Sequence, residues 1–170
     1  MKTIQRTRKY VSLILAVIML LSMNTVAFAA SGSQQRSASG KVTVALEGGA
    51  SGYSNTVTFN FNSLPRNAVV TRITVSAPLS RHQGTNAIKL NGYYISSPLD
   101  GELYFNVSSG SSLTTYAFAG ASARGTWTFC LRATCLDSGI PPYMSPFPIF
   151  FPIYSSNTYY PVKMTIYYTY

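Results

Sequence analysis

Apolar side chains recur at every second position along much of this chain. In residues 125–135, Trp127, Phe129 and Leu131 fall on one face of an extended strand, with Thr126, Thr128, Cys130 and Arg132 on the other, because side chains alternate with period two. The same alternation predicts strands at Val42, Val44 and Leu46, at Val57, Phe59 and Phe61, and at Val69, Ile73, Val75 and Ala77. Leu103, Phe105 and Val107 form a further set, and Val162, Met164, Ile166, Tyr168 and Tyr170 share one face of a C-terminal strand. A weaker strand is expected over residues 114–118.

The punctuation between these sets is that of turns. Gly48-Gly49 and Pro65 interrupt the pattern, and Pro78 ends the third set, leaving residues 79–85 as a polar loop. Ile88 and Leu90 lead into Asn91-Gly92, a strong two-residue hairpin signal because a type I′ turn needs positive φ at both central positions; Tyr93-Tyr94-Ile95 is then the return strand. About eight strands at spacings near ten residues predict an all-β domain, a two-sheet β-sandwich of jelly-roll-like form. No helical periodicity, heptad or internal repeat competes with that reading.

The first residues are of another kind. Lys2, Arg6, Arg8 and Lys9 precede an apolar run over residues 10–21, and Ala27-Phe28-Ala29 supplies a small-residue cleavage site. Residues 1–29 are therefore expected to be a helical secretory signal peptide, cleaved after Ala29. The alternative, a retained anchor, fits less well because the run is shorter than the roughly 20 residues of a spanning helix, so no stable membrane span is expected. Residues 30–40 are too polar to pack and read as a flexible lead-in, and residues 41–170 as the sandwich domain. The basic leader and Ala-x-Ala site point to a bacterial source and to a secreted, extracellular or cell-surface location.

Composition narrows the chemistry. Removing the leader leaves nine basic residues against Glu47, Asp100, Glu102 and Asp137, an excess of five rather than nine. These charges are dispersed, with no basic stripe of the kind nucleic acid requires. His82 is the sole histidine. A Ser-His-acid site would have to recruit it from a polar loop, and Asp100 and Glu102, the only near carboxylate pair, flank Gly101 as turn residues. The chain is read as non-enzymatic, with a hydrolase using His82 as the alternative. No metal or cofactor is expected, since two thiols and one distant imidazole do not complete a zinc set.

Cys130 and Cys135 are the only cysteines, and in an exported chain they predict a disulfide. Extended chain would hold them roughly 16 Å apart, so a bond requires the strand to turn between Leu131 and Thr134. Trp127, in phase with Phe129 and Leu131, is expected in the core. Residues 140–154 carry five prolines among many aromatic and aliphatic side chains, either capping the open end of the core or forming an aromatic platform. Tyr143, Tyr154, Tyr159 and Tyr160, in or beside that segment, are the candidate ligand-binding residues.

Three short stretches carry a resemblance: residues 67–75 (Asn-Ala-Val-Val-Thr-Arg-Ile-Thr-Val), 84–90 (Gly-Thr-Asn-Ala-Ile-Lys-Leu) and 125–129 (Gly-Thr-Trp-Thr-Phe). Together they resemble the P-domain of proprotein convertases, which implies a galactose-binding-like jelly roll over most of residues 42–170. Gly84-Thr85 stands where that family has Gly-Asp, and Asn91-Gly92 where it has a Ser-Pro-x-Gly turn, so its calcium site does not carry over. Nor does a protease-accessory role, as the chain has no protease domain.

The functional expectation is a secreted non-catalytic binding module for carbohydrate or a cell-envelope polymer. The alternative is a structural subunit of an extracellular matrix or fibre that self-associates through an edge strand or the aromatic segment.

Overall fold

A computed structural model describes residues 30–107, 112–136 and 154–170. The expected signal peptide and the proline-rich segment, Tyr143 included, lie outside these residues. Every described element is a β-strand: β1 (Ser31–Ser37), β2 (Val42–Glu47), β3 (Ser51–Tyr53), β4 (Val57–Asn60), β5 (Val69–Ser76), β6 (Leu79–Gln83), β7 (Ile88–Ser97), β8 (Gly101–Asn106), β9 (Ser112–Thr115), β10 (Thr126–Cys135), β11 (Tyr154–Tyr159) and β12 (Lys163–Thr169).

All pairings are antiparallel. One sheet has the order β1-β12-β5-β9 and a second β2-β11-β6. These two use the same three stretches of chain in the same order, since β1 leads into β2, β5 into β6 and β11 into β12. Ala38 N donates to Val162 O (2.9 Å) and Tyr160 N to Pro78 O (3.1 Å), so pairing persists through the kink where each stretch bends. Pro78 and Pro161, the latter after a cis peptide bond, mark the kink. The third sheet is β3-β10-β7-β8, with β4 also pairing β10 beside β3.

Alternation then builds the core. β10 turns Trp127, Phe129, Leu131, Ala133 and Cys135 inward, and they meet Val42, Val44, Phe59, Ile73, Tyr93, Ile95, Met164 and Ile166 in one cluster drawn from all three sheets, the arrangement of a β-sandwich. Trp127 is fully buried, its indole Nε1 donating to Ala123 O at 3.2 Å and its ring meeting Phe118 edge-on at 5.2 Å. Burying an indole with its N–H satisfied avoids the penalty of an unpaired donor.

Several expectations are corrected. Ser31–Ser37 is not a flexible lead-in: all seven residues pair with β12. It is a sheet-edge strand whose inward positions are Gly32, Gln34 and Arg36, so it carries no apolar alternation to read. Residues 79–83 are likewise strand β6, exposed at all five positions and held by backbone pairing to β11. Val69 faces out and Val70 in, because Tyr167 pairs Arg72 while Tyr168 pairs Val70, leaving Thr71 as a bulge.

Asn91-Gly92 is not a turn. Both residues lie within β7, opposite the single residue Arg132, where the register shifts. This is a β-bulge, with two residues facing one, and Gly92 is not among the glycines with positive φ. The reversal comes after Ser97, through residues 98–100 to Gly101 at φ 84°. Ser97 Oγ accepts from Asp100 N (2.7 Å) and donates to Asp100 Oδ2 (3.1 Å), fixing that turn.

The cysteines are free and form no disulfide. β10 continues unbroken through both, and its alternation places Cys130 on the outer face and Cys135 in the core. Continuous strand pairing with β7 over Thr128–Cys135 prevents the turn that a bond would need.

Candidate functional site

Of the four tyrosines singled out by sequence, the three among the described residues do not share one surface. Tyr143 lies outside the described residues. Tyr159 is 4 % exposed and packs into the core, since it closes the inward row of β11 with Ser155 and Asn157. Tyr154 and Tyr160 are exposed, at 56 % and 50 %. They sit at opposite ends of β11, roughly 20 Å apart along an extended strand. The Tyr154 hydroxyl is engaged by Glu47, which raises its pKa through that hydrogen bond and the carboxylate's charge. The Lys41 ammonium lies 5.9 Å from the Tyr160 ring centre.

His82 stands on exposed β6, where Nδ1 meets Asn157 Oδ1 at 2.7 Å. Asn157 is buried, and its Nδ2 donates to the Tyr159 hydroxyl at 3.4 Å. The imidazole thus satisfies a buried amide, a structural use. Among the described residues no three of His, Cys, Asp and Glu are grouped to hold a metal ion.

A different set of aromatics does come together, on the outer face of β3-β10-β7-β8. β3 contributes Tyr53, opposite Arg132 of β10; β7 contributes Tyr94, opposite Cys130; and β8 contributes Tyr104, opposite Tyr94. Ring centres are 5.5 Å apart for Tyr53 and Tyr94, and 4.7 Å apart for Tyr94 and Tyr104, with planes inclined at 64° and 41°. Tyr53 is 59 % exposed and the other two are half-buried.

Each ring has a local cause. Tyr104 lies over Gly92: a Cβ added there would meet Tyr104 Cε2 at 2.6 Å and would also strike the Phe105 carbonyl oxygen. The absent side chain is what lets the phenol lie down on the sheet. Side-chain hydrogen bonding with Tyr53 raises the pKa of Tyr94, with partial burial in support and the nearby Arg132 charge opposing. The half-buried Cys130 thiol is pushed up by burial and by the Glu102 charge, against a hydrogen bond to Thr56, so it is held as the neutral thiol.

Polar groups border the row. Arg132 is exposed between Tyr53 and Gly92. Asn91 Nδ2 donates to Thr134 Oγ1 at 2.8 Å, and that oxygen also meets Ser51 Oγ at 2.6 Å. Lys89 lies opposite Thr134 and Asn106 opposite Gly92. Flat apolar faces with hydroxyl rims, bordered by amide and guanidinium donors, suit a ligand that is apolar on one side and polar at its edges.

A second, smaller aromatic group lies on β5 and β12. There the Arg72 guanidinium stacks 3.9 Å from the Tyr167 ring centre, and hydrogen bonding to Tyr116 raises its pKa. That cation is already engaged by both rings.

No protein-family model matches the chain, and no curated protein matches it. Among solved structures, the crystal structure of FlhE is similar at 19 % identity and a TM-score of 0.46, covering 84 % of this chain and 100 % of that one. A cyanophage Pam1 capsid asymmetric unit is similar at 15 % identity and a TM-score of 0.32, covering 84 % of this chain and 87 % of that one. Likenesses at this level carry no argument about what the present chain does.

Proposed function

We propose that the domain is an exported, non-catalytic binding module for carbohydrate or a cell-envelope polymer, and that it binds on the outer face formed by Tyr53, Tyr94 and Tyr104. One observation carries this reading: three rings in an unbroken row on a paired sheet, bordered by Arg132, Asn91 and Asn106. Sheet-borne aromatics lose little side-chain freedom on binding, which favours recognition of an extended, weakly featured ligand. The surface first expected, around Tyr143, Tyr154, Tyr159 and Tyr160, is the weaker candidate, because Tyr159 is buried and Tyr154 and Tyr160 are far apart.

The scaffold we infer is a jelly roll. Counting β1–β2, β3–β4, β5–β6 and β11–β12 as single bent or interrupted strands gives eight. Their order is first-eighth-third-sixth in one layer and second-seventh-fourth-fifth in the other. That interleaving of two Greek keys supports the assignment.

Polysaccharide affinity electrophoresis tests the proposal. The Tyr53→Ala/Tyr94→Ala/Tyr104→Ala variant, checked for an unchanged circular dichroism spectrum, is expected to lose retardation, whereas Tyr154→Ala/Tyr160→Ala retains it. The opposite pattern refutes the site. A second reading, a self-associating structural subunit, is favoured by β6, which pairs on one side only and is exposed throughout. Light scattering that shows concentration-dependent assembly, abolished by Ser80→Pro in that strand, would support it.

A further inference from the structure

We propose that the polymer held on this face is an acidic polysaccharide, one whose pyranose rings carry carboxylates of the uronate type. The inference rests on the tyrosine-row reading and adds the charge of the ligand. Arg132 borders the row directly: its cross-strand neighbours are Tyr53 and Gly92, neither of them acidic. Lys89, one step further along the same face, has Thr134 as its partner and is exposed. Among the described residues the carboxylate of this face is Glu102, which lies opposite Ser96 at the other end, beyond Tyr94 and Tyr104. The face is therefore polarised, cationic where Tyr53 begins the row and anionic past Tyr104.

A guanidinium set among aromatic faces presents a planar fork that carboxylate or phosphate satisfies in two parallel hydrogen bonds. The rings decide between those anions. A polyol phosphate chain has no flat sugar face to lie on a phenol, whereas a polyuronate offers a pyranose face and a carboxylate in every unit. The three rings touch in sequence, 5.5 and 4.7 Å between centres, so they form one continuous apolar strip along which such a chain can lie. Beyond residue 30 the chain carries nine basic and four acidic side chains, so its field attracts a polyanion from a distance.

The experiment compares polygalacturonate with its fully methyl-esterified form, which keeps the sugar and removes the charge. The chain from Ala30 onward, as cleavage after Ala29 would leave it, is used, with Arg132→Gln and Tyr94→Ala variants checked for wild-type unfolding midpoints. Wild type is expected to bind polygalacturonate at least about tenfold more tightly than the ester. That ratio should shrink as salt is raised, because the charge contribution is screened. Arg132→Gln is expected to bring the two affinities together, and Tyr94→Ala to weaken both. Equal binding of both polymers, lost in Tyr94→Ala, overturns the acidic ligand and leaves the tyrosine row standing. Acid-selective binding indifferent to Tyr94→Ala overturns the row and reduces the interaction to charge alone. Retardation by a polyol phosphate but not by polygalacturonate, or by neither, overturns the inference.

Discussion

Replacing Gly92 by alanine tests the geometry on which the site depends. A Cβ at this position would strike the Phe105 carbonyl oxygen and lie 2.6 Å from Tyr104 Cε2. The carbonyl belongs to the β7–β8 ladder, so it cannot retreat without disturbing pairing between Gly92 and Asn106. Overpacking of this sort costs about 1–3 kcal/mol, offset by the roughly 0.5–1 kcal/mol that alanine gains over glycine in a strand interior. The net expectation is a loss of about 0.5–2 kcal/mol. For a urea slope of about 2 kcal/mol/M the midpoint falls by roughly 0.25–1 M with the slope unchanged. Repeating the substitution in a Tyr104→Ala background removes the ring collision and keeps the carbonyl one. The cost should then shrink by at least about 0.5 kcal/mol, a coupling expected of groups in contact. An alanine that is neutral or stabilising, or one whose cost is the same in both backgrounds, refutes the placement of Tyr104 over Gly92. A turn at Asn91-Gly92 predicts that second outcome, since alanine would be penalised for positive φ whatever stands at 104.

Three further predictions follow from buried groups. Thiol titration should find two free thiols per chain in denaturant, with Cys135 unreactive in the native protein and the unfolding midpoint insensitive to reductant; a midpoint that drops on reduction would contradict the separation across β10. Tyr93 is fully buried with no partner for its hydroxyl among the described residues, and burial pushes its pKa up to about 12 from 10.0. Unfolded tyrosine ionises first, so the folded state holds more protons between pH 10 and 12; stability is intact below pH 10 and falls as the pH rises through that window. Tyr93→Phe should make the fall shallower in pH-dependent urea melts, with a remainder from Tyr159, and should be neutral or stabilising at pH 7 because it removes an unsatisfied hydroxyl. His82→Ala should destabilise by about 1–3 kcal/mol by stripping the buried Asn157 side-chain oxygen of its partner, with polysaccharide binding unchanged; a large loss of binding at full stability would contradict the structural use of His82.

Where one face of a strand is buried, the sequence was legible. β2, β4, β10 and β12 alternate as read, and Trp127 is in the core. β1 and β6 were not legible, because edge strands are held by backbone pairing to β12 and β11 and need no apolar face. Asn91-Gly92 was misread because a bulge and a type I′ turn favour similar residues, and only the partner strand distinguishes them. The cysteines misled because the expectation of export carried a disulfide with it, while the pairing of β10 with β7 overrides the local freedom a bond would need. The tyrosine row did leave a signal. Tyr104 is out of phase with Leu103 and Phe105, a large aromatic on the polar side of an alternating strand, and Tyr94 is out of phase with Tyr93 and Ile95. Nothing local says that Tyr53, Tyr94 and Tyr104 meet, since three separate strands bring them together.

The bulge at Asn91-Gly92 is what joins fold to site. Before it, Ile88 and Leu90 pair with Cys135 and Ala133 on the inward side; after it, Tyr93 and Ile95 pair with Leu131 and Phe129 on the same side. Strict alternation from Leu90 would send Tyr93 and Ile95 outward and Tyr94 into the core, since a one-residue slip exchanges the faces. The extra residue thus keeps both apolar pairs on the inward face of β7, Tyr93 and Ile95 buried and Ile88 and Leu90 half-buried against the core, and in doing so delivers Tyr94 to the outer face opposite Tyr104. It also sets two short residues against Arg132, one of them without a side chain, so the guanidinium has an open neighbour on β7 and the Tyr104 ring has a floor. Core packing and the aromatic row are therefore consequences of one insertion. Deleting Asn91 should damage both together, whereas trimming any single tyrosine should leave the core intact.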